Sequence, residues 1–380
     1  MKKINKLLFS ILGLSFLLSA CGNLKNSQLN SNNNNSVNSG SNTSVQTTGQ
    51  TNDNYYQGII KNGKYLTSKT RGINVSTESN QFDIKSFSNG LLNLSKKEFP
   101  PNKYIFQEGQ YISSKEAKKW LERKSSNNNS GLNPEGNSSD NPIYLQQLLE
   151  QDFLTKNKNK YVLSGMSIGL GLNSVYTYTK QQYGSVYQTN ISKKTDMIQG
   201  KQMASKILLR LRKTKGISNN VPIMIALYRQ SSPNSLVGGT FFAYAISKSG
   251  NSLGAWHNLN QQNEVLPVVN NEKPINPDVS NEFNTFRNYI KSFFPNLSGV
   301  TAQVHYDNGE LAGMNITINT QFYSETEIIS FTQFIASKAY KCLPNNVPIQ
   351  INIQSVQGMQ AFLNRSANSK SFYTHVFSSY

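Results

Sequence analysis

Asn219-Asn220-Val221-Pro222-Ile223 recurs residue for residue as Asn345-Asn346-Val347-Pro348-Ile349, 126 positions later. Ahead of each stands a second matched segment, Gly165-Met166-Ser167-Ile168 in one place and Gly313-Met314-Asn315-Ile316 in the other. Matched segments in the same order imply an internal duplication. A period this long belongs to two related units rather than to a solenoid, whose repeats run to about 20–50 residues. Each copy reads as helix, strand, helix, turn, strand. The first helices are expected over 144–154, where Leu145, Leu148, Leu149 and Phe153 recur at helical spacing, and from Phe283 onward. Strands follow at 166–176 and 314–322. The next helix of the first copy gathers Met203, Ile207, Leu208 and Leu211 on one face and stops near Gly216. Its counterpart starts at Ser324, with Glu327 completing a capping box, and buries Ile328, Phe331, Ile335 and Ala339. Strands at 223–228 and 349–353 leave the shared turn, whose prolines suit the start of a strand. Strand, helix, strand makes parallel pairing the expectation in each copy.

Working outward, the first copy is assigned to 143–270 and the second to 271–380. The first holds 22 more residues between its paired segments, a tyrosine-bearing insertion with Tyr176, Tyr178, Tyr183 and Tyr187. An extension over 55–142 precedes the copies, with Leu91, Leu92, Leu94, Phe99, Tyr104, Phe106 and Tyr111 as anchors and a long polar loop at 125–142. Pro100-Pro101 forbids a helix there. Residues 22–54 are almost wholly Asn, Ser, Thr, Gln and Gly, too polar to fold, so 21–54 reads as a tether with a coil span of about 30 Å. The expected fold class is therefore α+β (α/β-like): a tandem duplication of a strand-helix-strand unit with flanking helices, preceded by a disordered tether.

The amino end has the pattern of an export signal. Lys2, Lys3 and Lys6 precede an apolar run from Leu7 to Ala20 that ends in Leu18-Ser19-Ala20-Cys21, a lipoprotein cleavage box. The run is 14 residues long, short of the roughly 20 that span a bilayer. Cleavage between Ala20 and Cys21 would remove residues 1–20 and leave Cys21 to carry the lipid. The partners this implies are the membrane, through the anchor, and the signal peptidase for lipoproteins. Cys342 is the other of the chain's 2 cysteines, so acylation of Cys21 leaves no intramolecular disulfide and casts Cys342 as a buried small hydrophobe.

A formal charge of +18 favours anionic neighbours. Export makes phospholipid heads or an anionic cell-wall polymer more accessible than nucleic acid, for which no motif is present. Lys206, Arg210 and Lys213 lie on one helix face and are the best-defined candidate anion site. Gly165-Met166-Ser167-Ile168-Gly169 matches the G-x-S-x-G of hydrolases, but a nucleophile elbow needs a helix directly after the serine, and here a strand-like run follows. Ser167 is taken as a strand residue and no catalytic residue is assigned. His257, His305 and His375 stand isolated, with Ala255-Trp256-His257-Asn258 reading as a packed corner, and no metal-ligand spacing or cofactor motif occurs. Glu264, Glu272, Asp278 and Glu282 are conceivable glycosidase carboxylates, but nothing selects a pair.

Gly90-Leu91-Leu92-Asn93-Leu94-Ser95-Lys96, with Phe99-Pro100 and Lys103-Tyr104, resembles the CamS family of sex pheromone precursor lipoproteins from low-GC Gram-positive bacteria. So do Gly131-Leu132-Asn133-Pro134, Leu149-Glu150-Gln151-Asp152-Phe153, Gly200-Lys201-Gln202-Met203-Ala204-Ser205 and Glu325-Thr326-Glu327-Ile328. The resemblance implies an exported domain with a tandem duplication, held at the outer face of the cytoplasmic membrane. It also implies that the end of the signal, Leu14-Ser15-Phe16-Leu17-Leu18-Ser19-Ala20, is released as a hydrophobic pheromone for a receptor of plasmid-bearing neighbours. It names no catalytic residues. The reading that results is a non-enzymatic, lipid-anchored binding module that doubles as a peptide precursor. The alternatives are a surface hydrolase of cell-wall or lipid material and an adhesin for anionic polymer.

Overall fold

The computed structural model describes residues 44–73, 81–136, 141–158, 160–181, 183–269, 272–293 and 299–378. The chain enters through β1 (Val45–Thr47), β2 (Ile59–Lys61) and β3 (Lys64–Tyr65), a small antiparallel sheet. Then come α1 (Gln81–Ser95), β4 (Ile105–Glu108), α2 (Ser114–Leu121), the long hairpin β5 (Leu145–Asn157) and β6 (Lys160–Leu172), and the short hairpin β7 (Val175–Thr179) and β8 (Val186–Asn190). α3 (Lys193–Arg212), β9 (Ile223–Arg229), β10 (Thr240–Ser247) and β11 (His257–Asn258) complete the first half. The second half runs β12 (Gln261–Leu266), α4 (Pro277–Phe293), β13 (Gly299–Asp307), β14 (Glu310–Asn319), α5 (Glu325–Cys342), β15 (Ile349–Ser355), β16 (Gly358–Arg365) and β17 (Tyr373–Val376).

The duplication is written in the hydrogen bonding. One six-stranded sheet has the order β11-β10-β9-β6-β5-β4, the other β12-β13-β14-β15-β16-β17. In each, a strand, a helix and a parallel strand form the centre: Met166 lies opposite Ile223 and Met314 opposite Ile349. The amide of Met166 donates to the Pro222 carbonyl at 3.0 Å and that of Met314 to the Pro348 carbonyl at 3.1 Å, so both prolines stand at strand starts. Even the irregularities coincide, with a register shift after Phe153 in β5 and after His305, its counterpart, in β13. The first-copy insertion is the hairpin β7–β8, on which Tyr176, Tyr178 and Tyr187 stack at centroid separations of 5.3 and 5.7 Å.

Several expectations need correcting. Residues 144–154 are not a helix but the start of β5. Every residue from Leu145 to Leu154 is buried, because the sheet is covered on both faces: Leu148 joins the core under α2 and α3, whereas Leu149 and Phe153 join the core under α1. A strand buried on both sides loses its alternation, and its apolar residues can mimic helical spacing. The counterpart of α4 is instead α2, since both lie between the first two strands of their sheet. The first strand of copy one ends at Leu172, short of 176, because the insertion begins there. Ser324 is the N-cap of α5, but its side chain makes no capping bond. The tether does not extend to residue 54, since Val45–Thr47 pairs with Ile59–Lys61. Its earlier part, with the signal and Cys21, lies outside the described residues. Within the expected loop 125–142, Asn133 is a buried clamp whose Nδ2 donates to the Leu121 and Leu145 carbonyls at 2.7 and 2.8 Å.

The helix expected from Phe283 onward forms as part of α4, which already starts at Pro277, and the helix expected through Met203 to Leu211 and the one expected from Ser324 form as α3 and α5, with their named apolar residues buried. α4 opens on Pro277, where a missing N–H is harmless, and Asn276 Oδ1 accepts from the Asp278 and Val279 amides at 3.0 and 3.2 Å. α2 and α3 cover one face of the first sheet, and α4 and α5 cover the matching face of the second. The remaining faces differ: α1 closes that of the first sheet, while that of the second stays open among the described residues.

Candidate functional site

The open face follows from strand alternation. On β14 and β15, Met314, Ile316, Ile318, Ile349, Ile351 and Ile353 point into the helix-covered core, so Asn315, Thr317, Asn319, Gln350, Asn352 and Gln354 point away from it. The amides form a ladder: Gln350 Nε2 donates to Asn352 Oδ1 at 3.1 Å, Asn352 Nδ2 to Asn315 Oδ1 at 3.1 Å, and Gln354 Nε2 to Asn319 Oδ1 at 2.8 Å. Towards β17 the face becomes aromatic, with the ring of Phe362 5.8 Å from Tyr373, 5.7 Å from His375 and 6.1 Å from Phe377.

Towards β12 the face runs into a wall supplied by the first half. A hollow of about 360 Å³ is lined there by Ser86 of α1, Val237 and Gly238, and by His305, Asn315 and Gln350 of the sheet. A second hollow of the same volume shares Ser86, Asn263 and His305 and reaches Lys97 and Asp307. Buried Asp83 holds the wall, accepting from Ser231 Oγ at 3.1 Å, Tyr228 Oη at 3.1 Å and the Gly239 amide at 2.5 Å. Burial pushes the Asp83 carboxyl up and these bonds pull it back down. The loop then meets the second sheet, where Gln303 Nε2 donates to the Leu236 carbonyl at 3.1 Å and Asn263 Nδ2 to the Gly238 carbonyl at 2.8 Å.

His305 stands at the corner, its Nδ1 2.6 Å from Asn263 Oδ1. Because Asn263 spends its N–H groups on Gly238 and Gly239, its oxygen accepts, which places the imidazole proton on Nδ1 and leaves Nε2 an acceptor. Burial lowers the pKa of His305, with Asp307 opposing, and so favours the neutral ring. The partner is an amide rather than a nucleophile or carboxylate. With its Nδ1–H committed to Asn263, the ring offers an acceptor at Nε2, and the Ser86 hydroxyl lining the same hollow can donate or accept.

The residues singled out in the sequence fall elsewhere. Ser167 is fully buried in the middle of β6, its Oγ 2.8 Å from Ser95 Oγ, and no helix follows it directly. Lys206 on α3 and Lys213 at its C-cap are exposed, but Arg210 is partly buried, donates to the Ser130 carbonyl at 2.9 Å and covers the Trp120 ring at 5.1 Å. That arginine braces the 125–136 loop, so the three charges do not form one free patch. His257 is not a packed corner. It is exposed on β11 and stacks on Tyr244 at 4.9 Å, the equivalent of His375 against Phe362. Cys342 is half-buried against the second core, and burial pushes its thiol up. Glu264 accepts from the Ile275 amide at 2.9 Å and packs beneath the sheet, not into the hollow. Leu14, Ser15, Phe16, Leu17, Leu18, Ser19, Ala20 and Cys21 lie outside the described residues.

Sequence reasoning missed a buried acidic pair. Glu150 accepts from the Tyr111 and Ile112 amides at 2.8 Å each, and Asp152 from the Gln110 amide at 3.1 Å. Burial raises both carboxyls, and the proximity of Glu150 raises Asp152 further. They bind the strap leading into α2 and line none of the hollows described above. Among the described residues, no group of three or more His, Cys, Asp or Glu is placed to hold a metal, and no helix is long and apolar enough to cross a membrane.

Residues 65–371 match the family model described as the CamS sex pheromone cAM373 precursor. The chain belongs to the CamS family. Its fold is shared with the crystal structure of a sex pheromone precursor from Lactobacillus salivarius subsp. salivarius, 46% identical over 89% of this chain and 100% of that one, at a TM-score of 0.85. The C-terminal domain of the staph-cAM373 precursor from Staphylococcus aureus is 29% identical, over 79% of this chain and 98% of that domain, at a TM-score of 0.70. A comparison with curated proteins gives no match. For this CamS protein the paired sheets are thus a family architecture, and the open amide face meets the His305 corner where the first half abuts the second sheet.

Proposed function

We propose that this CamS protein is exported, cut between Ala20 and Cys21, and anchored by lipid on Cys21 at the outer face of the cytoplasmic membrane, while Leu14–Ala20 is released as a hydrophobic pheromone. The observation that carries the reading is a complete lipoprotein box, Leu18-Ser19-Ala20-Cys21, at the head of a chain of a pheromone-precursor family. Its partners would be the lipoprotein signal peptidase, the membrane and a peptide receptor on recipient cells. The heptapeptide is uncharged, with one aromatic residue and three leucines, a composition suited to an apolar receptor pocket with few polar contacts. The anchored remainder is a binding module without catalysis, a reading favoured by the buried, mid-strand setting of Ser167 and by an imidazole paired with an amide.

The test has two arms. Cys21→Ala should abolish incorporation of a fatty-acid analogue, and unchanged labelling would reject the anchor. A synthetic Leu14–Ala20 peptide should raise the mating response of plasmid-bearing recipients, and Phe16→Ala should weaken it more than Ser15→Ala because the ring carries the larger buried area. Silence across recipients that answer related peptides would reject the pheromone.

A further inference from the structure

In a chain with 38 Lys and Arg and 20 Asp and Glu, the central outward positions of the second sheet carry no charge, a property that alternation makes easy to read. From Thr301 to His305, Gly313 to Asn319, Gln350 to Gln354, Gln360 to Asn364 and Tyr373 to His375, the residues on the open face include no Lys, Arg, Asp or Glu. Charge enters at the margin, where Lys97 and Asp307 line the second hollow, and the broad face itself presents nothing to attract a polyanion or a cation.

What the face offers is amides, already ordered against one another by the 2.8–3.1 Å ladder bonds. An amide carries two N–H donors and an oxygen with two lone pairs, so one lateral bond leaves capacity of both kinds for a ligand. Ordering before binding reduces the entropy lost on association. At the β17 margin, Tyr373 is 62% exposed and Phe377 45% exposed around Phe362. Amides facing groups that both donate and accept, beside rings open for stacking on a C–H surface, are the complement of a sugar. A peptide that adds to a sheet pairs with an edge strand instead of lying on a face.

We propose that the open face of the second sheet binds an uncharged polysaccharide strand outside the cell, one end seated in the His305 hollow and the chain running across the amide ladder to Tyr373. The hollow of about 360 Å³ falls within the roughly 300–1,000 Å³ typical of small-ligand sites. From β13 to β17 the face spans about 19 Å, four strand spacings of about 4.8 Å, enough for a short oligosaccharide. The first sheet offers no equivalent face, because α1 covers it. The proposal rests on reading the anchored domain as a binding module and names the ligand class of that module.

The experiment is calorimetry on the full chain in mild detergent, with cellohexaose and chitohexaose as neutral probes and poly(glycerol phosphate) as the anionic one. A neutral hexasaccharide should bind, and its affinity should fall at least tenfold in Tyr373→Ala and in Asn315→Ala/Asn352→Ala. Tyr373→Phe, which keeps the ring, should retain affinity, as should Lys206→Ala/Lys213→Ala. Thermal unfolding of each variant separates lost binding from lost fold. Binding of the polyanion alone, abolished by the lysine variants, would overturn the neutral-glycan proposal and leave the binding-module reading standing. Binding of none of the probes would overturn both. A concentration-dependent dimer disrupted by Tyr373→Ala would assign the face to a second copy and also overturn the proposal.

Discussion

The same register position holds Gly169 in the first sheet and Thr317 in the second, opposite Ala226 and Asn352. The same substitution pattern runs through both faces: Ser167 matches Asn315, Met224 matches Gln350, and Phe153 matches His305. Where the first copy has small or apolar residues, α1 lies against the sheet. A Cβ on Gly165 would stand 2.3 Å from the Phe99 ring, and one on Gly169 2.8 Å from that of Phe87. Glycine is what allows that close approach. Where the second copy has amides and threonine, no helix among the described residues covers the face. One duplicated sheet thus became the inside of a three-layer core and the other kept a surface. The comparison predicts that identical substitutions have very different costs in the two halves.

The largest gap should separate Phe99 from Phe362. Phe99 is fully buried, stacked on Phe153 at 4.6 Å and edge-on to Tyr104 at 5.4 Å. Phe99→Ala should cost about 3–5 kcal/mol of unfolding free energy, the usual range for a buried ring, whereas half-buried Phe362 should cost about 1 kcal/mol. Urea denaturation of the two variants measures the gap, and equal losses would mean that the second face is also a core. Next comes the register pair itself. Gly169→Val forces α1 outward and should destabilise by about 1–3 kcal/mol, while Thr317→Val should change stability by less than about 0.5 kcal/mol. A tolerated Gly169→Val would show that α1 is loosely docked.

A third contrast is electrostatic. Glu150 and Asp152 of β5 occupy the positions of Ala302 and Val304 in β13, so at these two positions the first copy buries carboxyls where the second buries apolar side chains. Asp196, four residues past the N-cap of α3, corresponds to Ile328 in α5, and burial outweighs Arg229 in pushing it up to about 7. A carboxyl whose pKa is raised in the folded state holds its proton to higher pH than the unfolded chain does. Its contribution is greatest below about pH 4 and is lost as pH rises, through about pH 7 for Asp196. Asp152→Asn keeps the shape without the charge and should stabilise by about 1 kcal/mol at pH 8, with a smaller effect at pH 4. Melting temperatures at the two pH values decide it, and a larger gain at pH 4 would reverse the assigned sign.

The sequence made the paired centres of the sheets legible because the Val-Pro turn and the Gly-Met strand start are local and survive duplication. It hid β5, whose residues are buried from both sides and so carry no period of two. It hid the site for a different reason. Asn263, His305, Gln303 and Asn315 are ordinary residues on three strands, and only the register of those strands makes them neighbours. Alternation over 314–319 and 349–354, apolar at one position and Asn, Gln or Thr at the next, was the available signal for a half-exposed sheet. Arg210 shows the converse. Helical spacing grouped it correctly with Lys206 and Lys213, but its tie to the Ser130 carbonyl depends on a loop 80 residues away.

The smallest expected effect bears most directly on whether the open face is a surface or an unfinished core. Asn352 sits at the centre of the ladder, giving one bond to Asn315 and receiving one from Gln350, each at 3.1 Å. It is half-buried, so water can replace both bonds when the amide is removed, and a solvated hydrogen bond contributes little net free energy. Threonine at that position would gain strand preference while losing the amide. These terms offset, and Asn352→Thr should shift the unfolding free energy by no more than about 0.5 kcal/mol in either direction. A loss above about 2 kcal/mol would be the size of an unsatisfied buried polar group, and would mean that the ladder is structural. The near-neutral outcome implies that polar, mutually ordered side chains are held on this face without serving the fold, as required if their order serves a ligand.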